Sequence, residues 1–325
     1  MLPDPLSPAS VLPWEDDYAF DPAEADLPGL SVVIPIFNAG DFLEKTLRSL
    51  MCNDLAGVEL ILMDGGSTDD TVDILRAYAD VDGYDLTWVS QPDEGQSDAI
   101  NKGFDRAAGD IVAWLNSDDV YFDTGVISRV VDHFDEHDAD VIYGDLAYID
   151  QDSTITAVDV RPDFDREKLP YRILIGQPAT FFRRDVVEAE RLDTDLEYSM
   201  DYEYWLRLAR RFEFRHVQDV LAGFRSYPDQ KSQHQAAMAT ELETILTAYT
   251  GRDVNTVEVI SGNLTTEVAR LIRGVGATVN LHRSSPELAF DGDIAPLVTM
   301  LTEVGPGLGD VTKAWRRWRS GGASG

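Results

Sequence analysis

A single cysteine, Cys52, stands in 325 residues, so no intrachain disulfide can form and an oxidising compartment is not implied. Alone in a mostly apolar stretch, it reads as a small packing residue rather than a nucleophile. Lysine is nearly as scarce, at positions 45, 102, 168, 231 and 313 only, against 59 acidic residues and a net charge of -32. Polyanion binding needs concentrated Lys and Arg, so a nucleic-acid partner is excluded. No stretch approaches about 18 consecutive apolar residues, and no cationic segment followed by an apolar run opens the chain. The expectation is a cytoplasmic protein without a spanning helix. Neither G-x-G-x-x-G nor G-x-x-x-x-G-K-[ST] occurs, so the usual glycine loops for phosphate are missing.

What is present suffices for a sizeable core: 44% hydrophobic and 10% aromatic residues fit a globular chain. The acid excess is dispersed rather than gathered in a tail. Such a surface is that of an ordinary acidic protein or, the preferred expectation, of a haloarchaeal-like protein working in high salt.

Residues 1–29, rich in Pro, Asp and Ala without a period, read as an extended arm. From Leu30 onward strands and helices alternate. "LSVVIPIFN", "VELILMD", "LTWVS", "DIVAWLN" and "ADVIYGD" read as strands. Between them "DFLEKTLRSL", "STDDTVDILRAYA", "SDAINKGFDRAA" and "TGVISRVVDHF" read as helices, the second opened by Ser67 with Asp70 three residues later. That alternation implies a three-layer α/β/α sandwich with a mostly parallel sheet. The pattern then becomes mixed: "AYID" runs into a polar turn, "PATFFRR" and "EFRHV" read as strands, and "MDYEYWLRLARRF" as a helix. The main domain is taken as 30–235, and 236–325 as a helical appendage. The appendage ends in a basic aromatic tail, where Trp315, Arg316, Arg317 and Trp318 suit either a membrane interface or a solvated helix end with packed indoles.

In open α/β sheets ligands gather at the carboxyl ends of the strands. Those ends carry Phe37 and Asn38, Asp64, Gln91 to Gln96, and Asn116 to Asp119, four consecutive polar strand ends aimed at one edge. Each alone could be a cap or a turn residue. Without a glycine loop, a phosphorylated ligand needs another partner for its charge. A hard cation such as Mn²⁺ or Mg²⁺ held by the adjacent Asp118 and Asp119 meets that need and relieves their repulsion.

These segments resemble, in order, the motifs of the inverting nucleotide-sugar glycosyltransferases of family 2, whose fold is GT-A. The resemblance runs from about Leu30 to Ser232 through "SVVIPIFN", "ILMDGGSTDDT", "EGQSDAINKGFDRAAGD", "WLNSDD" (the D-x-D region), "GQPATFFRRDV" and "MDYEYWLRLARR". It implies a hexosyltransferase-type enzyme moving a sugar from a nucleotide-sugar donor to a hydroxyl of a glycan or polyprenyl-linked acceptor, in protein glycosylation or cell-surface polysaccharide synthesis at the inner membrane face. It implies a donor site of Pro35, Phe37, Asn38, Asp64, Asp98, Lys102, Asn116 and Ser117, with Asp64 reading the base and Asn116 a neutral ribose contact. The divalent metal falls to Asp118, with Asp119 either a second ligand or a helix-entry residue. Gln177, Pro178 and Arg207 lie on the acceptor side, although Gln177 and Pro178 also suit a plain turn and Arg207 a surface pair with Glu203. Asp201 is the implied catalytic base, kept ionised by the helix it opens, and an ordinary N-cap is its bland alternative. Departures from the family pattern are Asn116 for an acid, Ile100 for Arg, Met200 for an acid and Tyr227 for His. A non-catalytic nucleotide-sugar-binding or scaffold protein of a glycan-assembly complex is the competing functional class.

Overall fold

The computed structural model describes residues 29–252 apart from 54–56, 80, 82–83, 229 and 232–233. The arm at 1–28 and the segment from 253 onward, with the Trp315 to Trp318 tail, lie outside the described residues.

Four strands form the parallel half: β1 (Leu30–Ile36), β2 (Val58–Asp64), β3 (Asp85–Ser90) and β4 (Ile111–Trp114), ordered β3-β2-β1-β4. β1 is buried at every position. Its side chains alternate between two separate cores, which is why it reads as an apolar run interrupted only by Ser31. Leu30, Val32, Ile34 and Ile36 pack with Leu43, Leu47 and Leu50 of α1 (Leu43–Met51) and Leu75 of α2 (Thr71–Ala79). Val33 faces the other way, toward Ala99, Ile100 and Phe104 of α3 (Gln96–Phe104). Gly103 lets α3 lie tight on β1, since a Cβ there would come 2.2 Å from Val33 Cγ1.

The second half continues the sheet with mainly antiparallel pairings. After β5 (Val120–Tyr121) and α4 (Val126–Glu136) come β6 (Val141–Ile149), β7 (Ile155–Asp159), β8 (Thr180–Arg183) and β9 (Phe214–Arg225). β8 joins β4 to β6, and the order runs on through β9 to β5, with β6 and β9 parallel to each other. One edge of β6 is shared: β8 pairs with Val141 to Tyr143 and β7 with Leu146 to Ile149. "AYID" is therefore the far half of β6, "EFRHV" only the start of β9, and β5 and β7 are strands not anticipated from periodicity. The sheet is mixed, parallel in its first half as expected.

Helix α5 (Arg184–Ala189) and helix α6 (Met200–Leu208) cover the face that α3 covers. An aromatic stack fixes α6: Trp114, Phe182 and Trp205 have ring centroids 5.5 to 5.7 Å apart and nearly parallel planes. Such pairs contribute about 0.5–1.5 kcal/mol each beyond their buried area. α7 (Gln235–Thr250) starts at the expected domain boundary, yet Ile245 and Leu246 pack into this same core, and Glu241 accepts the backbone N–H groups of Glu197, Tyr198 and Ser199 at 2.8 Å.

Candidate active site

The loops after β1 and β2 are pinned together. Asn38 adopts a left-handed backbone (φ 49°), its N–H donates to Ser67 Oγ at 2.7 Å, and its Oδ1 accepts from Thr68 N at 2.8 Å. Gly40 has no room for a Cβ, which would lie 1.9 Å from Asp70 Oδ1. Ser67 is not the cap of α2, which begins four residues later. Its hydroxyl instead donates to Asp64 Oδ1 at 2.5 Å, and Ser90 Oγ donates to Asp64 Oδ2 at 2.5 Å. The buried acid at the end of β2 thus outcompetes the helix for that hydroxyl.

Asp64 opens onto a shallow recess with Met63, Gln91, Asp93, Ala99 and Lys102. Lys102 pairs with Asp98 at 2.6 Å across one helical turn. Pro35 is buried within β1, opposite Met63, while Phe37 stands 64% exposed at the rim. Of the eight expected donor-side residues, Asp64 and Lys102 therefore line one recess, with Asp98 beside it.

The adjacent acids part company. Asp119 is fully buried, and its Oδ1 accepts the N–H of Arg225 on β9 at 2.9 Å. It leads into β5, not into a helix as one expectation had it, because β9 offers it an otherwise unpaired backbone donor. Burial first, and then the neighbouring Asp118 charge, push its carboxyl well above the usual range. Asp118 keeps partial exposure, accepts from Tyr227 Oη at 3.0 Å, and is also raised by burial. Beneath the pair lies Arg225, fully buried and over the Phe42 ring, which donates to the backbone oxygens of Asp118 and Asp150 at 2.8 Å. Ser117 contributes its carbonyl to Thr46 Oγ1 at 2.9 Å.

Asn116, at the end of β4, is held on both sides. Gln96 Nε2 donates to its Oδ1 at 2.8 Å, and its Nδ2 donates to Gln177 Oε1 at 3.0 Å. Gln177 also donates to the Trp114 carbonyl at 2.8 Å, so the 3-10 turn Gln177–Ala179 that contains Pro178 is both a turn before β8 and part of the site. Lys231 Nζ reaches Gln96 Oε1 at 3.3 Å and Glu197 Oε1 at 2.8 Å. Ser97 Oγ meets Met200 Sδ at 2.9 Å, which brings the start of α6 against the start of α3. Arg225 and Lys231 were missed as site residues, and Gln96 was noted only as the last of the polar strand-end residues Gln91 to Gln96. Only the rarity of lysine marked Lys231.

Asp201 lies in the first turn of α6, whose N-cap position is Ser199, so Asp201 is not the cap. Its Oδ1 accepts from Tyr202 N at 2.7 Å. The helix was expected to keep it ionised. Burial raises its carboxyl above the usual range, against weaker opposing pulls from that N–H, Arg161 and Lys231. Arg207 is bound to Glu203 and Glu190, each at 2.8 Å, and to the Arg191 carbonyl at 2.7 Å. It thus makes the expected pair with Glu203 and a second one with Glu190.

Residues 31–188 match the glycosyl transferase family 2 model. A PGL/p-HBAD biosynthesis glycosyltransferase of Mycobacterium tuberculosis is 32% identical over 160 residues, 48% of this chain and 60% of that protein. The chain thus spans less than two thirds of the length of that relative. An uncharacterized glycosyltransferase of Rickettsia prowazekii is 23% identical over 237 residues, covering 68% of this chain and 71% of that one. Among solved structures, the mannosyltransferase PcManGT of Pyrobaculum calidifontis, in complex with GDP-Man and Mn²⁺, superposes with a TM-score of 0.57 at 15% identity, over 93% of this chain and 90% of that one. S. aureus TarS 1-349 in complex with UDP-GlcNAc gives 0.55 at 15%, over 90% and 92%. The architecture is the GT-A fold. These similarities do not bear out a haloarchaeal likeness.

Proposed function

We propose, on the premise that residues 31–188 carry a glycosyltransferase family 2 domain on a GT-A fold, that the chain transfers a sugar from a nucleoside-diphosphate donor to an acceptor hydroxyl with inversion. The observation that carries this reading is the link of three elements at one sheet edge: Asn116 after β4 to Gln96 on α3, Gln96 to Lys231, and Ser97 to Met200 beside Asp201. Donor-side and acid-bearing elements are held together by direct contacts.

Asp64, with Asp98 and Lys102 nearby, receives the nucleoside in the recess, and Asn116, Ser117 and the rim residues Phe37 and Asn38 border the sugar. Asp201 takes the proton of the acceptor hydroxyl as its oxygen bonds to the anomeric carbon. The bond from that carbon to the phosphate oxygen breaks on the opposite face, and its electron pair leaves with the nucleoside diphosphate. A carboxylate whose pKa is raised by burial is a stronger base than a free one. Lys231 offers a cation beside the Gln96–Asn116 pair, placed to offset negative charge on the leaving diphosphate.

The residues fit a hard divalent ion. Asp118 presents a partly exposed carboxylate with one side-chain partner, Tyr227, while Asp119 is turned inward onto the Arg225 backbone N–H. One carboxylate plus substrate phosphate oxygens is the usual setting for Mn²⁺ or Mg²⁺, and the Pyrobaculum neighbour binds GDP-Man with Mn²⁺. Held at Asp118, such an ion supplies Lewis-acid neutralisation of the diphosphate.

The acceptor in this reading is a glycan or polyprenyl-linked hydroxyl at the cytoplasmic membrane face, with Gln177 and Pro178 on its side and the Trp315 to Trp318 tail as a peripheral contact. No helix among the described residues is long and apolar enough to cross a membrane. The test is a screen of nucleotide sugars for Mn²⁺- or Mg²⁺-dependent release of nucleoside diphosphate, at low and high salt. Turnover of one donor supports the proposal. Metal-dependent binding without turnover of any donor supports the non-catalytic alternative.

A further inference from the structure

His133, Glu136 and His137 sit at the carboxyl end of α4, at positions i, i+3 and i+4. Helical spacing puts them on one face, and one ligand atom from each lies within 4.8 Å of the others. The two imidazole rings are nearly parallel, with centroids 6.1 Å apart and planes 9° apart.

A second feature points to a ligand independently of that spacing. His133 Nε2 meets Asp219 Oδ2 at 2.6 Å, and Asp219 is steadied by Arg129 at 4.0 Å. A carboxylate on one ring nitrogen fixes the tautomer with the proton on that side. The other nitrogen, Nδ1, is then a lone-pair donor. It is buried and has no hydrogen-bond partner among the described residues. Carboxylate to imidazole to metal is the usual order in which such a ring is oriented toward an ion.

Both histidines also line a cleft of about 450 Å³, together with Asp163, Phe164, Arg215 and His216. The cleft lies where α4 leads into β6. It is therefore at the opposite end of the sheet from Asn116, Asp118 and Asp201, and the sugar-transfer reading makes no use of it.

We propose that His133, Glu136 and His137 bind a zinc-class divalent ion whose remaining coordination positions face this cleft. Two imidazoles and one carboxylate suit Zn²⁺, or the neighbouring Ni²⁺ and Cu²⁺, far better than Mg²⁺ or Mn²⁺, which prefer oxygen ligands. Bonds of about 2.1 Å in a tetrahedron place ligand atoms about 3.4 Å apart. The trio must therefore contract by up to about 1.4 Å from its present spread of at most 4.8 Å, a shift that rotation of the exposed Glu136 side chain and of His137 at the helix terminus supplies.

The test uses the untagged, metal-stripped full chain titrated with ZnCl₂ by calorimetry, with thermal unfolding in parallel. The expected result is one equivalent of Zn²⁺ and a Zn²⁺-dependent rise in Tm. Glu136→Gln and His137→Ala should each weaken binding by roughly tenfold or more, and Asp118→Ala should leave it unchanged. Glu136→Gln covers the event that His137→Ala disturbs the helix end. The proposal is overturned if no saturable Zn²⁺ binding is seen, if both variants bind as the parent does, or if Asp118→Ala abolishes the binding.

Discussion

Asp118 and Asp119 are neighbours in sequence with opposite expected responses to the same change. Asp119→Ala removes a fully buried carboxylate that accepts the Arg225 N–H at 2.9 Å and faces the buried Arg225 charge. Orphaning a buried N–H costs about 1–3 kcal/mol, and the buried Arg225 guanidinium, which makes no ion pair with Asp119 but feels its field, loses a compensating charge. Relief of the repulsion from Asp118, and of the desolvation of Asp119 itself, returns part of this. The net is about 2 kcal/mol, and at about 2–4 °C per kcal/mol for a domain of this size the Tm should fall by roughly 4–8 °C. Asp118→Ala gives up one hydrogen bond from Tyr227 and relieves the same repulsion, so its Tm should stay within about 3 °C of the parent while donor turnover is lost. Thermal unfolding by near-ultraviolet circular dichroism, run beside nucleoside diphosphate release, reads both. Equal Tm losses in the two variants, or a stable Asp119→Ala, would refute the division of labour.

Three further outcomes follow from the geometry. Burial raises the Asp201 carboxyl above its ordinary 3.8, so it stays protonated to higher pH than a free acid; the base is then lost as pH falls through this raised value, and the acidic limb of kcat/KM should lie above the ordinary carboxylate range. Arg207→Ala breaks partly exposed pairs with Glu203 and Glu190 and should cost about 1–2 kcal/mol in urea unfolding with kcat/KM changed less than about threefold; a large kinetic loss at unchanged stability would assign it to the acceptor side instead. Gly103→Ala drives a methyl to 2.2 Å from Val33 Cγ1 and should destabilise by about 1–3 kcal/mol despite better helix propensity; a gain in Tm would contradict the tight seat of α3 on β1.

The parallel half was legible because its signals are local. β2 matches "VELILMD" residue for residue, and β1, apolar at every position but Ser31, announces helices on both faces. β5 was not legible, since two residues, Val120 and Tyr121, carry no period and are strand only because Ala222 and Gly223 lie opposite. β7 was hidden for a similar reason, its pairing with β6 depending on where β8 stops. At the site, Asp64, Asn116 and Asp118 could be picked out because strand ends have a fixed place in such sheets. Lys231 and Arg225 could not, because their partners lie 135 and 107 residues away, and the part played by Gln96 within its strand end was hidden because Asn116 is 20 residues on. Ser67 shows the reverse error: a sound local cap pattern gave way to a buried acid three residues upstream.

The central claim is that Asp201 removes the acceptor proton at the edge shared by β4, α3 and α6. The direct measurement is transfer by Asp201→Asn, with the donor found by screening, alongside thermal unfolding of the same sample. The account predicts a loss of at least about a hundredfold in kcat, with donor affinity and Tm close to the parent. Full activity in Asp201→Asn would contradict it.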